Sequence, residues 1–307
     1  MILKDIGFKE KITHFRRLLD QADAILVGAG SGLSADAGID YFDPRSFAEK
    51  YPAMVSYGFT TNAELMGVDP SASPGLFWGY YLAHGNHMRF RNSVQPVYRG
   101  LLDLVRQKDY FVITTNVDSL FLRNGFARNS IYTPQGDYGR IQCQTPCSDQ
   151  TWPSEPVING LLPLVDPLTG MLPPEFVPTC PNCGGQVFYN VRGGTWFVDA
   201  PHEGQYTVFM DWIQNNKDRR LLLIDIGTGF HTPVWIRWPF EKITFENPGS
   251  HLIRINTEDP DVPENITARS ICFPDRAVNV IDAVSLQTTK GHLNRQDAPQ
   301  GGKHEFK

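Results

Sequence analysis

Four of the five cysteines are spaced as metal ligands. Cys143 and Cys147 form one close pair, and Cys180 and Cys183 form a second pair after a proline-rich loop. Two such pairs separated by a loop are typical of a tetrahedral zinc site built from thiolates. Because four thiolates leave no open position for a substrate, we expect this zinc to be structural. The fifth cysteine, Cys272, lies between apolar residues and is expected to be an inert core thiol.

A glycine-rich turn follows the first strongly apolar segment. The run 24–27 predicts a short buried strand, and the residues Gly28-Ala29-Gly30-Ser31-Gly32 follow it and lead into a helix. A strand that turns through glycines into a helix directs backbone N–H groups towards an anionic ligand. The glycines lie two residues apart, so the usual spacing of dinucleotide-binding turns is absent. The turn therefore indicates either a phosphate site or only a tight connection between strand and helix.

Polar residues follow a second apolar strand, which we predict over 110–118. Ligands of open α/β sheets bind outside the carboxyl ends of the strands. We therefore expect Thr115, Asn116 and Asp118 to face the same crevice as the glycine turn. The alternative is that Asp118 only caps the next helix, at 119–124.

Two later strands end in the same manner. The segment 221–229 ends in Gly227, Thr228 and a third glycine, and the segment 252–258 ends with Asn256 and Glu258. Helical patterns separate these strands, which predicts a Rossmann-like, doubly wound parallel sheet of the α/β class.

The order of these segments predicts two intervening units within one Rossmann-like domain. The expected boundaries are a first Rossmann-like part at 1–140 with a helical insertion at about 45–95, a zinc-binding module at 141–185, and a second Rossmann-like part at 186–307 whose tail, 301–307, is mobile. Arg192 follows the strand after the second cysteine pair. It either reaches a phosphate or substrate, or forms a surface ion pair.

Composition excludes several classes of function. The chain has 307 residues, 41% of them hydrophobic, which is enough for a sizeable core. A net charge of −5 without a strongly basic segment argues against nucleic-acid binding. Apolar runs of about 18 residues are absent, so no membrane span is expected. The first residues lack a secretory signal, and the cysteines are spaced for metal rather than disulfides, so the cytoplasm is expected.

The ordered set of motifs resembles the sirtuin family over most of the chain. The resembling residues are Gly28-Ala-Gly30 with Ala37-Gly-Ile39 and Phe42, Thr114 to Asp118, Gln135-Gly136, the four cysteines, Gly227-Thr228, and Ile255 to Glu258. The resemblance implies an enzyme that binds NAD between a Rossmann-like domain and a zinc module. It also implies cleavage of the bond between nicotinamide and ribose, and transfer of the ADP-ribosyl group.

One departure from the family concerns the catalytic base. Sirtuin deacylases have a histidine where this chain has Gln135, and that histidine deprotonates a ribose hydroxyl. A glutamine amide forms hydrogen bonds but has no pKa near neutrality. The motif around Arg45 and the peptide-binding strand near Arg192 also differ from the deacylase pattern.

This combination is similar to the macrodomain-linked microbial sirtuins. That resemblance implies a protein ADP-ribosyltransferase whose acceptor is a lipoylated carrier related to glycine-cleavage protein H. It also implies a macrodomain hydrolase that reverses the modification. The alternatives are an NAD-dependent deacylase with an atypical base, and a catalytically silent module that binds NAD or ADP-ribose.

The resemblance also assigns roles to individual residues. Asn116 would orient the ribose, Asp118 would bind the carboxamide of nicotinamide, and Gln135 would fix the ribose or the acceptor. Thr228 and Asn256 would contact the adenosine half of NAD. The other expected NAD-binding residues are Gly28, Ala29, Gly30, Ser31, Gly32, Ser34, Phe42, Arg45, Thr115, Arg192, Gly227 and Glu258.

Overall fold

The computed structural model describes residues 6–66, 68–69, 71–91 and 94–296. The expected mobile tail lies outside these residues. The α-helices are α1 (Phe8–Gln21), α2 (Ser31–Asp36), α3 (Pro44–Lys50), α4 (Pro52–Ser56), α5 (Asn62–Leu65), α6 (Pro74–Gly85), α7 (Pro96–Val105), α8 (Leu120–Arg123), α9 (Glu155–Leu161), α10 (Ala200–Asn216), α11 (Arg237–Glu246) and α12 (Ala277–Gln296). The strands are β1 (Ala24–Ala29), β2 (Asp109–Thr114), β3 (Ile131–Tyr132), β4 (Gly136–Cys143), β5 (Thr151–Pro153), β6 (Val187–Val191), β7 (Leu221–Ile226), β8 (His251–Ile255) and β9 (Ser270–Phe273). A π-helical turn at Asn86–Arg91 and 3-10 turns at Arg128–Ser130, Leu162–Leu164, Pro174–Phe176 and Glu264–Arg269 complete the elements.

Six of these strands form one parallel sheet in the order β3-β2-β1-β7-β8-β9. Strands β1 and β7 are buried along their whole length, as expected for a parallel sheet covered on both faces. One face packs against α1, α7 and α12, and the other packs against α10 and α11. The predicted doubly wound α/β fold is confirmed.

The four strands predicted from the sequence lie at the centre of this sheet. The edge strands β3 and β9 were not predicted, because two and four residues are too short to give a clear alternating pattern. The last helix, α12, follows β9 and extends from Ala277 to Gln296. Residues 74–91 form a helix that continues into the π-helical turn, within the expected helical insertion.

A second, antiparallel sheet holds the cysteine pairs. Its order is β5-β4-β6, and it extends from Gly136 to Val191. This sheet therefore starts before, and ends after, the boundaries of 141 and 185 that the sequence suggested. Strand β4 connects the segment that ends at Gln135 directly to Cys143. Among the residues that the structure describes, no helix combines the length and apolarity that crossing a bilayer requires.

Candidate active site

The carboxyl ends of β1, β2, β7 and β8 meet at one edge of the main sheet, because these neighbouring strands are parallel. Two adjoining cavities lie there. We call the cavity of about 450 Å³ the Asp118 cavity and the cavity of about 620 Å³ the Glu258 cavity. Ser31 and Phe42 border both of them.

The structure gathers most of the expected site residues around these two cavities. Those lining the Asp118 cavity are Gly30, Ser31, Ser34, Phe42, Thr115, Asn116, Asp118, Gln135 and Thr228. Those lining the Glu258 cavity are Ser31, Gly32, Phe42, Gly227, Asn256 and Glu258. Residues from five separate segments thus reach one crevice, as the resemblance implies.

Four expected residues line neither cavity. Gly28 and Ala29 lie within β1, and a Cβ at Gly28 would come within 2.4 Å of the Ile236 side chain. Gly28 is therefore small because the segment leading into α11 packs against the strand there. Arg45 is exposed on α3. Arg192 contacts protein groups that are described below.

Three other expected glycines allow the turn after β1 to touch the turn after β7. A Cβ at Gly30 would lie 2.5 Å from the carbonyl oxygen of Gly227, and one at Gly32 would lie 2.7 Å from the Gly227 Cα. Gly227 has a φ of +62°, which favours glycine. The Gly32 N–H donates to the Gly227 carbonyl at 3.1 Å. Close contact between the two turns is thus a sufficient reason for these glycines, alongside any approach of a phosphate.

Asn116 joins the turn after β2 to the turn after β1. Its side-chain N–H donates to the Gly30 carbonyl at 2.9 Å, and its backbone N–H donates to Thr114 Oγ1 at 3.1 Å. The side chain is 8% exposed and borders the Asp118 cavity. The amide is therefore held in one orientation at the cavity wall.

Asp118 is a buried carboxylate held by neutral donors. Ser34 Oγ donates to one oxygen at 2.6 Å, and the Leu120 N–H donates to the other at 2.8 Å. Burial raises the pKa of Asp118 above its ordinary value, while these two hydrogen bonds oppose the rise. The bond to Leu120 caps the start of α8, so Asp118 both caps that helix and lines the cavity.

Arg192 fixes the segment that carries Gln135. Its backbone N–H donates to the Gln135 carbonyl at 2.9 Å, and its Nε donates to the Pro134 carbonyl at 3.0 Å. The guanidinium lies 4.2 Å from the centre of the Phe197 ring and pairs with Asp199. Of the two roles left open by the sequence, Arg192 forms the ion pair.

The turn after β7 is supported by a buried charge network. Thr228 Oγ1 donates to Asp225 at 2.5 Å, and Arg254 Nε donates to the other oxygen of Asp225 at 2.8 Å. Arg254 also pairs with Glu241 at 2.8 Å. The Asn256 side chain donates to the Thr228 carbonyl at 2.8 Å. These contacts fix the edge shared by the two cavities.

Sequence reasoning missed four polar side chains that line the Asp118 cavity, namely Tyr41, Tyr138, His231 and Thr232. Each lies within three residues of a motif that was recognised. Nothing in their own type or spacing separates them from packing residues, so only the folded loops reveal them.

The four cysteine sulfurs form one cluster, and all lie within 4.8 Å of one another. The distances are 3.7 Å between Cys143 and Cys183 and 3.6 Å between Cys147 and Cys180. A tetrahedral zinc with bonds of about 2.3 Å needs sulfurs about 3.8 Å apart. The donor set and its dimensions thus fit a zinc ion with no open position.

The second cysteine pair lies on a tight turn. Gly184 has a φ of +74°, and its N–H donates to the Cys180 carbonyl at 2.8 Å. Burial alone would raise the pKa of Cys180, but backbone N–H groups of Cys183 and Asn182 act on the sulfur and the pKa falls to about 7. This turn therefore favours the thiolate that binds zinc.

The fold is that of the sirtuins. A complex of a Sir2 homologue with NAD has a TM-score of 0.60 and 16% sequence identity, and the match covers 91% of this chain and 94% of that one. At this identity the likeness establishes the fold alone. No family model matches the chain.

Curated relatives divide into two kinds. A probable bifunctional ADP-ribose hydrolase/ADP-ribosyltransferase of Fusarium oxysporum is 36% identical over 248 residues, which cover 78% of this chain and 41% of the relative. A protein ADP-ribosyltransferase of Staphylococcus aureus is 29% identical, with 92% of each chain covered. An NAD-dependent protein deacylase of Pseudomonas aeruginosa is 26% identical, with 57% of this chain and 61% of the relative covered.

The chain thus has the sirtuin fold, and the relatives described above are named as ADP-ribosyltransferases or as a deacylase. The chain spans 41% of the length of the fungal relative, so that match alone assigns neither activity in the relative's name to this chain.

Proposed function

We propose that the chain is an NAD-dependent protein ADP-ribosyltransferase that releases nicotinamide. The observation that carries the proposal is that an amide, Gln135, borders the same cavity as Asn116 and Asp118. Deacylation by the sirtuin route needs a base at that position, whereas transfer of ADP-ribose to an external nucleophile does not use that base. The names of the fungal and staphylococcal relatives support the same reaction.

The Asp118 cavity holds the reacting end of NAD in this proposal. The Asn116 amide orients the ribose hydroxyls, and the Asp118 carboxylate accepts a hydrogen bond from the nicotinamide carboxamide. The Gln135 amide donates a hydrogen bond to the ribose or to the acceptor. Because positive charge develops on the ribose as nicotinamide leaves, fixed dipoles and a buried carboxylate lower the barrier mainly by preorganisation.

The Glu258 cavity holds the adenosine half. The touching turns at Gly30, Gly32 and Gly227 present backbone groups to the pyrophosphate between the two cavities. Thr228 and Asn256 contact the adenosine side of NAD. Glu258 accepts hydrogen bonds from the hydroxyls of the adenosine ribose. Zinc at the four cysteines stabilises the second sheet and takes no part in the reaction.

The acceptor that we propose is a lipoylated carrier protein related to glycine-cleavage protein H. A hydrolase that removes ADP-ribose is the proposed reversing partner, and one relative has a hydrolase in the same chain according to its name. The type of that hydrolase, a macrodomain, rests only on the family resemblance. The proposed compartment is the cytoplasm, where four closely spaced thiols remain reduced and bind zinc.

Incubation of the protein with labelled NAD and a lipoylated carrier tests this proposal. We expect covalent label on the carrier, nicotinamide release in equal amount, and a mass increase of one ADP-ribosyl group. An unlipoylated carrier serves as the control for the acceptor. Absence of label on every carrier tested, with NAD bound normally, contradicts the proposal and favours a silent binding module.

A deacylase is the second candidate, because one relative is named as a protein deacylase. The matched experiment uses acylated peptides with NAD. Formation of O-acyl-ADP-ribose would favour this candidate. We expect none from the wild-type protein, and also none from Gln135→His, because the region around Arg192 is tied to Pro134 and Asp199 instead of lying open to a peptide.

A further inference from the structure

The proposed transfer reaction releases a proton for which the expected site residues provide no acceptor. An acceptor group X–H attacks C1′ of the ribose, and the bond between C1′ and the nicotinamide nitrogen breaks. The electron pair of that bond neutralises the pyridinium, and nicotinamide leaves uncharged. The proton on X must then go to a base, and the amide of Gln135 is not one.

Four ionisable side chains line the Asp118 cavity, namely Tyr41, Asp118, Tyr138 and His231. Asp118 binds the nicotinamide carboxamide in the proposed function, and each of its oxygens also accepts a hydrogen bond inside the protein. Burial raises the pKa of Tyr138 to about 12 and that of Tyr41 further, so both phenols are protonated at neutral pH. His231 is the remaining member, and an imidazole is the side chain best suited to accept a proton near neutrality.

His231 lies on the turn that follows β7 and reaches the site from the open side. It borders both cavities, and its side chain is exposed. The neighbouring turn residue Thr228 is fixed through Asp225. The start of the loop is therefore held in place while the imidazole of His231 contacts solvent. A proton taken from an acceptor can therefore pass on to water.

We propose that His231 is the general base that deprotonates the attacking group of the acceptor protein. This inference rests on the proposed ADP-ribosyltransferase function. It also separates two tasks, because Gln135 positions the ribose or acceptor on one side of the cavity while His231 accepts the proton on the other.

Charged side chains line the Glu258 cavity, which His231 borders, and others lie at the start of α11. On the side of the Glu258 cavity, they are Asp36, Asp40, Asp43, Glu258, Asp259, Asp275 and Arg276. Arg276 is paired with Asp36, so the carboxylates dominate. On the side of α11, Arg237 lies over Phe230 and donates to the Thr228 carbonyl. Net negative charge therefore lines the cavity that His231 borders.

The test compares the wild-type protein with His231→Gln and His231→Ala, using a lipoylated glycine-cleavage H-like carrier as the acceptor. We expect both variants to transfer ADP-ribose roughly 10²-fold more slowly, while their affinity for NAD changes by less than about threefold. The wild-type rate should fall towards acid pH, and this acid limb should be absent in the variants.

Free imidazole gives the decisive readout. Added imidazole should restore transfer by His231→Ala in proportion to its unprotonated fraction, which a merely structural role would not produce. His14→Ala, on α1 and remote from both cavities, is the matched control and should transfer normally. Wild-type rates in the His231 variants, or slow variants that keep the acid limb and gain nothing from imidazole, would overturn the role of His231. A wild-type protein that binds NAD but labels no carrier would instead refute the proposed function itself.

Discussion

Asp118 and Asp225 are two buried aspartates at the same edge of the sheet, and their surroundings differ. Asp225, inside β7, is fully buried and binds the guanidinium of Arg254. Asp118, beyond the end of β2, is 3% exposed and is bound only by a hydroxyl and a backbone N–H. Burial raises the pKa of both carboxyls, but only Asp225 has a cation within hydrogen-bond distance to oppose it.

This difference separates a structural carboxylate from one that is available for chemistry. The charge of Asp225 is neutralised within the protein, and its contacts support the turn at Thr228. The charge of Asp118 has no such partner, so a substrate that develops positive charge beside it gains stabilisation. The same comparison extends to two parts of the site. Ionic contacts hold the turn after β7, which we call the Asp225 half, and hydrogen bonds to the second sheet hold the segment before β4, which we call the Gln135 half.

The largest effect is expected from Asp225→Asn. The substitution leaves the buried Arg254 guanidinium without its carboxylate, and removing one partner of a buried ion pair costs about 3–5 kcal/mol. Urea unfolding should show this loss in the free energy of unfolding. Replacing both partners, as Asp225→Leu with Arg254→Met, should recover much of it. A single variant as stable as the wild type would show that Arg254 does not depend on Asp225.

Asp118→Asn should impair the reaction and leave the fold intact, whereas Asp225→Asn should mainly impair stability. We expect transfer to fall roughly 10²–10³-fold because the buried negative charge beside the leaving nicotinamide is lost. The fold should remain, since an amide keeps the shape of the side chain. Transfer rates and urea unfolding of the same variant check both parts, and near-normal turnover would remove Asp118 from the mechanism.

The pH dependence of stability gives an independent test of the raised pKa of Asp118. A carboxyl whose folded pKa is raised binds its proton more tightly in the folded state, so its contribution to stability is lost as the pH rises through the folded pKa. Asp118→Asn should therefore be more stable than the wild type at pH 7. This advantage should shrink as the pH falls through the raised pKa, and it should vanish below the unfolded value. An advantage that grows towards acid pH would contradict the raised pKa.

Removal of zinc should affect the Gln135 half alone. Strand β4 joins Cys143 to the residue next to Gln135, so loss of the metal frees the Cys143 end of the strand that leads to Gln135. Displacement of a positioned group by about 1 Å costs roughly 10²-fold in rate. We expect chelation, or Cys147→Ser, to slow transfer by this order while NAD binding to the main sheet persists. Cys272→Ser is the matched control, because Cys272 lies outside the cluster.

The sequence predicted the features that depend on local patterns. The four central strands, the polar residues at their ends and the four thiols were all recognised, because apolar runs, glycine turns and ligand spacing are visible along the chain. Gly28 was assigned to phosphate binding, but its small size serves packing against the segment that leads into α11. His231 and Tyr41 reach the cavity through irregular loops, whose paths depend on tertiary contacts that no local pattern encodes.

Arg192 provides the smallest and most discriminating prediction. The sequence left open whether it contacts a phosphate or substrate or forms an ion pair, and its side chain binds the Pro134 carbonyl, Asp199 and the Phe197 ring. Arg192→Lys keeps the charge and the backbone bond to Gln135, but loses the planar stacking and the Nε donor. We expect kcat to fall roughly tenfold with an unchanged KM for NAD, because a displaced Gln135 impairs transfer rather than binding. A raised KM with normal kcat would mean that the guanidinium leaves Asp199 to contact NAD, and Arg192 would then bind the substrate directly instead of positioning Gln135.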